Sequence, residues 1–318
     1  MAHAVRAPSI HNTQPWRWVY RQGVLELYAD RSRQLSVLDP DRRSLLLSCG
    51  AALELARLGL AAQGWRIDVN RMPDPDQPDR LARIRPLGRT VLDPALVDRS
   101  AAIERRYSDR RPFQAEPVPD QLVDSLVATA ADTGVYAAAV QRADERLDLV
   151  VAFSWADQVE TDDPDYRAEL ARWTRHAGEA AADGVPATAI PHAIPGSPRH
   201  TDVPVRDFEA GISGGETLPE GIDEQPLYLV VFTTEDTPEA RLRAGEAYAR
   251  LSVEAERVGL GSSAMTQAVD LPAVRERFRT LMNWPDHPQM VLRAGWPQDG
   301  PRPEPTLRRA LSEVLAFD

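Results

Sequence analysis

Between Arg6 and Trp18 the chain reads RAPSIHNTQPWRW, which sets a hydroxyl (Ser9), two amide side chains (Asn12, Gln14) and two indoles (Trp16, Trp18) around a predicted turn. Such a turn can hydrogen-bond the edge of a planar heteroaromatic ring while nearby apolar atoms cover its face. The same residues also suit a capped turn that does no more than enter a Trp-rich strand. A second segment, ERRYSDRRPF from Glu104 to Phe113, places four arginines, a serine and a tyrosine within ten residues. Guanidinium forks match phosphate oxygens two at a time, so this run could hold a phosphate. It could equally be a solvated helix end whose arginines complement the dipole. A third basic spot, Arg308-Arg309 in PTLRRALSEVL, reads by itself as surface.

These residues need elements to position them. Rough alternation of apolar and polar residues over 15–20 and 24–30 predicts two strands joined as a hairpin across Arg21-Gln22-Gly23. Residues 41–63 carry Leu45, Leu46, Ala52, Leu53, Ala56 and Leu60 on or near one helical face and stop at Gly64. Strands are predicted over 65–70 and 81–86, around a Pro/Asp-rich turn. Beyond Asp93, helices are predicted over 94–105, 119–131, 143–159, 164–176, 238–258 and 271–282. Strands are predicted over 135–141, 226–234 and 289–294. The two parts echo each other, since Gly50 with Gly64 and Gly245 with Gly259 mark a mid-helix position and a helix stop at the same separation. Strand-then-helix is common enough that chance could produce the echo. Residues 177–224, rich in Gly, Pro, Ala and His, read as a lid or as a disordered segment.

Composition narrows the chemistry. The 318 residues carry 37 basic and 48 acidic side chains, a net charge of −11. Such a surface repels phosphate backbones and anionic headgroups, so neither nucleic acid nor a membrane is an expected partner. Every residue in the basic count is arginine, and the absence of lysine excludes pyridoxal-phosphate Schiff bases, the phosphate-binding Walker lysine and Ser-Lys hydrolases. One cysteine, Cys49, allows no intrachain disulfide and no cysteine-based zinc cage, and a cytoplasmic setting is the default expectation. No stretch reads as the roughly 18 to 20 apolar residues that cross a bilayer. Residues 1–6 lack the apolar core of a secretory signal and read as the last turn of a helix.

The three basic and polar segments together resemble the nitroreductase family of FMN-dependent oxidoreductases, and within it the single-chain, two-copy Acg-type branch. The family segment P-S-x-x-N-x-Q-P-W, which lies against the flavin ring, is matched by Pro8, Ser9, Asn12, Gln14, Pro15 and Trp16, with Ile10 and His11 between. The family segment R-R-x-S-x-R, which grips the FMN phosphate and ribityl chain, is matched by Arg105, Arg106, Ser108 and Arg110, with Tyr107 inside. The family's C-terminal phosphate arginine corresponds to Arg308, or to Arg309. Met265, Thr266 and Gln267 match the stretch near flavin N5, and Arg6 precedes the first motif. Gln267-Ala268 departs from the acidic or glycine-rich pair often found there, which leaves nicotinamide handling open.

The resemblance implies an α+β fold in which two fused copies form a pseudo-dimer, with antiparallel sheets flanked by helices and a long lid. Residues 1–98 would be a truncated first half and 99–318 the second, with the lid insertion at 177–224. The ring-binding turn occurs only in the first half and the arginine motif only in the second. Where the second half should repeat the turn it reads TAADTGV, residues 129–135. One chain should therefore keep a single complete FMN site and be monomeric. The implied reaction is hydride transfer from NAD(P)H through FMN to a nitroaromatic, quinone or similar acceptor, with no catalytic side chain required. A lidded protein that stores FMN without turnover is the alternative, and a flavin-free scaffold that binds a partner is a third. Gly259 to Ala264 (GLGSSA) fits a loose dinucleotide pattern but follows a helix rather than a strand. His176, His192 and His200, with Asp202 or Glu179, read as lid residues rather than metal ligands.

Overall fold

The computed structural model describes residues 1–132, 134–175, 181–190, 203–204, 206, 208, 224–300, 302 and 305–318. The hairpin forms as the alternation predicts. Strands β1 (Trp16–Arg21) and β2 (Val24–Ala29) pair antiparallel, and Gln22 and Gly23 both take positive φ in the turn. That turn geometry matches the right-handed twist of the strands it joins. Helix α1 (Arg43–Ala61), β3 (Trp65–Arg71) and β4 (Arg80–Arg89) follow, and α2 (Pro94–Arg105) leads onward. Next come α3 (Asp120–Ala130), β5 (Val135–Ala139), α4 (Ala143–Asp162), α5 (Pro164–Trp173), β6 (Thr174–Arg175) and β7 (Val185–Pro186). Strand β8 (Leu227–Thr233), α6 (Pro238–Arg257), β9 (Gly261–Met265), α7 (Gln267–Asp270), α8 (Pro272–Leu281) and β10 (His287–Gly295) continue. The chain ends in α9 (Leu311–Val314) and β11 (Leu315–Phe317).

The strands form an α+β arrangement of a five-stranded sheet, β11-β1-β2-β4-β3, and a four-stranded antiparallel sheet, β5-β8-β10-β9. The short pair β6 and β7 is parallel, as is the junction of β11 with β1. Helix α2 forms over the predicted 94–105 and so runs through the boundary placed between residues 98 and 99. One tertiary fact lay beyond the sequence reading: β11 carries the far C-terminus back onto the first sheet. Residues 4–6 form a short 3-10 helix, and the helix read over 164–176 stops at Trp173.

Helix α1 corrects one expectation. Its 19 residues, with a mean hydropathy of 1.4, are long and apolar enough to cross a membrane, but 72% of that window is buried inside the protein. The apolarity serves packing on two sides. Leu45, Leu46, Leu53 and Ala56 join Trp16, Trp18 and Leu27 of the first sheet, whereas Leu47 joins Leu229, Val231 and Leu251 of the second unit. Helices α1 and α6 cross at glycines. A Cβ on Gly50 would lie 1.9 Å from the Leu242 carbonyl oxygen, and one on Gly245 would lie 2.0 Å from that of Leu47. The contact is reciprocal, and one sequence offset relates both Leu47 to Leu242 and Gly50 to Gly245.

The start of α1 has no side-chain cap from Arg42. Instead the Asp39 carboxylate accepts the Ser44 N–H at 2.9 Å and the Leu45 N–H at 2.8 Å. Burial nevertheless pushes the Asp39 carboxyl up to about 6 from 3.8. A carboxyl raised in the folded state stabilises fully below its unfolded value and loses that contribution as pH rises through its folded value. Wild-type stability should therefore fall between pH 3.8 and about 6 through this group, by on the order of 2–3 kcal/mol before relaxation. Asp39→Asn should flatten this part of the profile, read from urea midpoints against pH.

Candidate functional site

A cleft enclosing about 1060 Å³ of empty space, open solvent included, lies beside the crossing of α1 and α6. Parts of the chain far apart in sequence line it. Ser44, Leu47 and Ser48 lie at helical spacing on α1, and Tyr248 comes from α6. Pro8 to Asn12 supply one wall, Ser263 to Gln267 another, and Ser108, Arg110, Thr306 and Arg308 a third. Gly184, Val185, Arg206 and Phe208, from the segment read as a lid, also line it. Most of 177–224, including Glu179, His192, His200 and Asp202, lies outside the described residues, as does His176.

The turn at residues 8–14 is held in a costly shape. His11, Asn12 and Gln14 adopt φ of 43°, 53° and 50°, in the left-handed region that side chains with a Cβ rarely enter. Hydrogen bonds fix it. Ser9 Oγ accepts the Gln14 N–H at 3.0 Å, and Ser48 Oγ accepts the Ile10 N–H at 3.1 Å, which seats the turn on α1. Asn12 Nδ2 donates to the carbonyls of Gly184 and Leu307, and Gln14 Nε2 donates to that of Ala182 at 2.7 Å. Gln14 Oε1 accepts the Arg309 N–H. Gln14 is thus spent on binding the tail and the 181–190 segment to the turn, and it does not line the cleft. Trp16 is fully buried in the core beneath β1 and does not reach the cleft either.

In the arginine segment, side chains alternate. Ser108 and Arg110 line the cleft, while Tyr107, Asp109 and Arg111 turn inward. Tyr107 Oη donates to Asp109 Oδ2 at 3.0 Å, and Arg111 Nη2 donates to the same oxygen at 2.9 Å. The carboxylate beside it helps burial push the Tyr107 hydroxyl up to about 12. Tyr107 therefore clamps the backbone that presents Ser108 and Arg110, instead of facing the cleft as expected. Arg105 also departs from expectation: it is exposed and pairs with Glu256 at 3.4 Å. Arg6 sits behind the lining, paired with Glu104 at 3.2 Å.

Three guanidiniums define the electrostatics. Arg106 is buried and Arg110 and Arg308 are half-buried, and among the described residues none of the three is ion-paired to a carboxylate. Arg106 donates to the Arg6 carbonyl, Arg110 to that of Ala189, and Arg308 to those of Ala7, Thr306 and Leu307. Burial, then the neighbouring charges of Arg106 and Arg6, lower Arg308 to about 9. Burial lowers Arg106 and Arg110 as well. Cations crowded away from water without a counter-charge are unfavourable until an anion arrives. Asn12 Oδ1, Gln267 Nε2 and His11 Nδ1 are buried with no hydrogen-bond partner among the described residues, and all three residues line the cleft. A ligand with an anionic end and a polar ring edge would satisfy both sets. FMN has that form, so the residues present fit it.

Sequence reasoning missed Ser44, Ser48, Tyr248, Met290, Arg206 and Phe208 in the lining. The serines at helical spacing on an otherwise apolar helix were a usable signal. Arg206 and Phe208 had none, because their placement depends on tertiary packing alone. The stretch 265–267 splits between two elements: β9 ends at Met265 and α7 begins at Gln267, which brings the Gln267 side chain to the cleft. Gly261 starts a strand packed against Phe113, which leaves no Gly-rich turn opening a helix. Among the described residues, no group of three or more His, Cys, Asp or Glu is arranged to hold a metal ion.

Fold and cleft together define an α+β protein with a cation-rich cleft at a helix crossing. Residues 103–296 match the model of the nitroreductase family, and the chain belongs to that family. It is 40% identical over 320 residues to "Putative NAD(P)H nitroreductase Rv3131" of Mycobacterium tuberculosis, covering 99% of this chain and 89% of that one. It is 32% identical over 313 residues to "Putative NAD(P)H nitroreductase acg" of the same species, covering 98% and 92%. Among solved structures it is similar to a nitroreductase with bound FMN from Bacteroides fragilis, with a TM-score of 0.42 and 12% identity, covering 67% of this chain and 96% of that one.

Proposed function

We propose that this chain binds one FMN in the cleft and serves as an oxidoreductase that passes hydride from NAD(P)H to a nitroaromatic, quinone or similar acceptor. The observation that carries the reading is that Arg110 and Arg308 line the cleft, with the buried Arg106 charge beside Arg308, and that none of the three has a carboxylate partner among the described residues. When bound, the flavin supplies the hydride chemistry. Arg308 would hold the phosphate, with Ser108 and Arg110 beside it and the buried Arg106 charge behind it. Asn12 and Gln267 offer an acceptor and a donor to the ring edge, and Leu47, Met290 and Ile10 give apolar cover. Cationic Arg110 favours negative charge in the cleft. Tyr107, Gln14 and Trp16 support these residues from behind, and Arg105 takes no part.

A two-fold built into one chain belongs to this reading, and the reciprocal glycine contacts support it. The offset that relates Gly50 to Gly245 sets Glu239 and Arg243 opposite Ser44 and Ser48. Those two are ion-paired to each other at 2.9 Å, which supports a single site. The reading places the protein in the cytoplasm as a monomer, with no nucleic-acid or membrane partner, in keeping with its −11 charge.

A storage role is the second reading. Arg206 and Phe208 line the cleft, and the Arg206 side chain is tied to Glu160 and Asp270, which supports a ligand held without turnover. Anaerobic mixing with NADH or NADPH separates the two. Bleaching of bound flavin within seconds supports the oxidoreductase, whereas bleaching by dithionite alone supports storage. Acid precipitation should release one FMN per chain. A colourless protein that takes up no FMN would refute both.

A further inference from the structure

Arg206 Nη1 lies 2.7 Å from His11 Nε2, and Arg206 Nη2 lies 2.9 Å from both Glu160 and Asp270. All four side chains are nearly or fully buried, His11 at 6% exposure. A guanidinium only donates hydrogen bonds, so the His11 Nε2 it meets must accept. In a neutral imidazole the remaining proton then sits on Nδ1. That atom is buried and has no hydrogen-bond partner among the described residues. The ring cannot readily turn away, since Phe208 packs edge-on against it at 5.6 Å and the backbone at His11 is held at φ 43°.

We infer that His11 is a fixed hydrogen-bond donor of the cleft: Arg206 locks its tautomer, and the Nδ1–H is reserved for an acceptor atom on the ring of the bound ligand. The ligand half rests on the FMN reading, and the tautomer half does not. The charged groups facing His11 are Arg206 and Arg110, while Glu160 and Asp270 reach it only through Arg206. Burial and the two cations hold the imidazole neutral, well below its usual range. His11 is thus a specificity-determining residue that selects rings with an acceptor at their edge. Arg206, with the Glu160 and Asp270 carboxylates behind it, is a positioning residue.

The test is imidazole nitrogen NMR on the full-length protein with labelled histidine, without and with FMN. The inference expects a neutral ring protonated on Nδ1 before ligand is added, and a mixed or reversed tautomer in Arg206→Met. With FMN, the Nδ1 proton should shift downfield and exchange more slowly. His11→Phe should weaken FMN binding about tenfold, the loss of one ordinary hydrogen bond, and His11→Asn should restore part of it by donating from its amide. A ring protonated on Nε2, or a charged ring at neutral pH, overturns the inference. An unmoved Nδ1 proton in the FMN complex overturns its ligand half. No FMN binding with the Nδ1 tautomer present refutes the FMN reading and the ligand half together, and leaves the tautomer lock supported.

Discussion

Gly245→Ala is expected to destabilise the protein by about 3–5 kcal/mol, above the usual range for overpacking. The added Cβ would sit 2.0 Å from the Leu47 carbonyl oxygen and 2.7 Å from its carbon, both backbone atoms that no rotamer change can move. Helices α1 and α6 would have to separate along a crossing where both are almost wholly buried. Gly50→Ala meets Leu242 in the same way, and its cost should be similar. The double variant should cost far less than the sum, because one separation relieves both clashes. Gly59→Ala is the control: its nearest neighbour is the movable His3 ring, at 2.6 Å, so stability should change little. Urea midpoints with unchanged slopes would read these differences. Wild-type stability in Gly245→Ala would show that the helices do not cross at these glycines.

Arg308→Met is expected to weaken FMN binding by roughly two orders of magnitude, the effect of losing charge-assisted hydrogen bonds to a phosphate. The ligand-free protein should respond differently. There Arg308 is crowded by Arg106 and Arg6 and gains only neutral contacts, to three carbonyls and the Thr306 hydroxyl, so its removal should leave the ligand-free melting temperature near or above wild type. Arg106→Met should weaken binding less, because Arg106 lies outside the cleft lining and acts only through its charge. A residue kept for stability would show the reverse, with a lower melting temperature and unchanged affinity. Isothermal titration with FMN and thermal melts with and without it measure both quantities. Wild-type protein should melt higher with FMN present, since a ligand that binds only the folded state stabilises it by mass action.

The long elements were legible because each carries its own local signal. Alternation marked β1 and β2, a Pro start marked α2, α5, α6 and α8, and glycines at positive φ closed the stretches after α1 and α6, at Gly64 and Gly259. Nine residues expected at the site do line the cleft: Pro8, Ser9, Ile10, Asn12, Ser108, Arg110, Thr266, Gln267 and Arg308. The motif pattern could not say which members face a ligand. Gln14, Trp16 and Tyr107 have the right chemistry, yet their polar atoms or rings are committed to neighbours distant in sequence.

Residue types and local spacing were enough to determine the hairpin, the long helices and the lysine-free chemistry, and the motifs' resemblance to a known family named the family. Tertiary structure alone decided that β11 returns to the first sheet, that Gly50 and Gly245 let two helices touch backbone to backbone, and that Arg206 reaches His11. The physical reason is range. Helix and strand periodicity act between near neighbours in the chain, whereas counter-charge, close backbone approach and the hydrogen bond that fixes a proton depend on atoms that only the folded chain brings together.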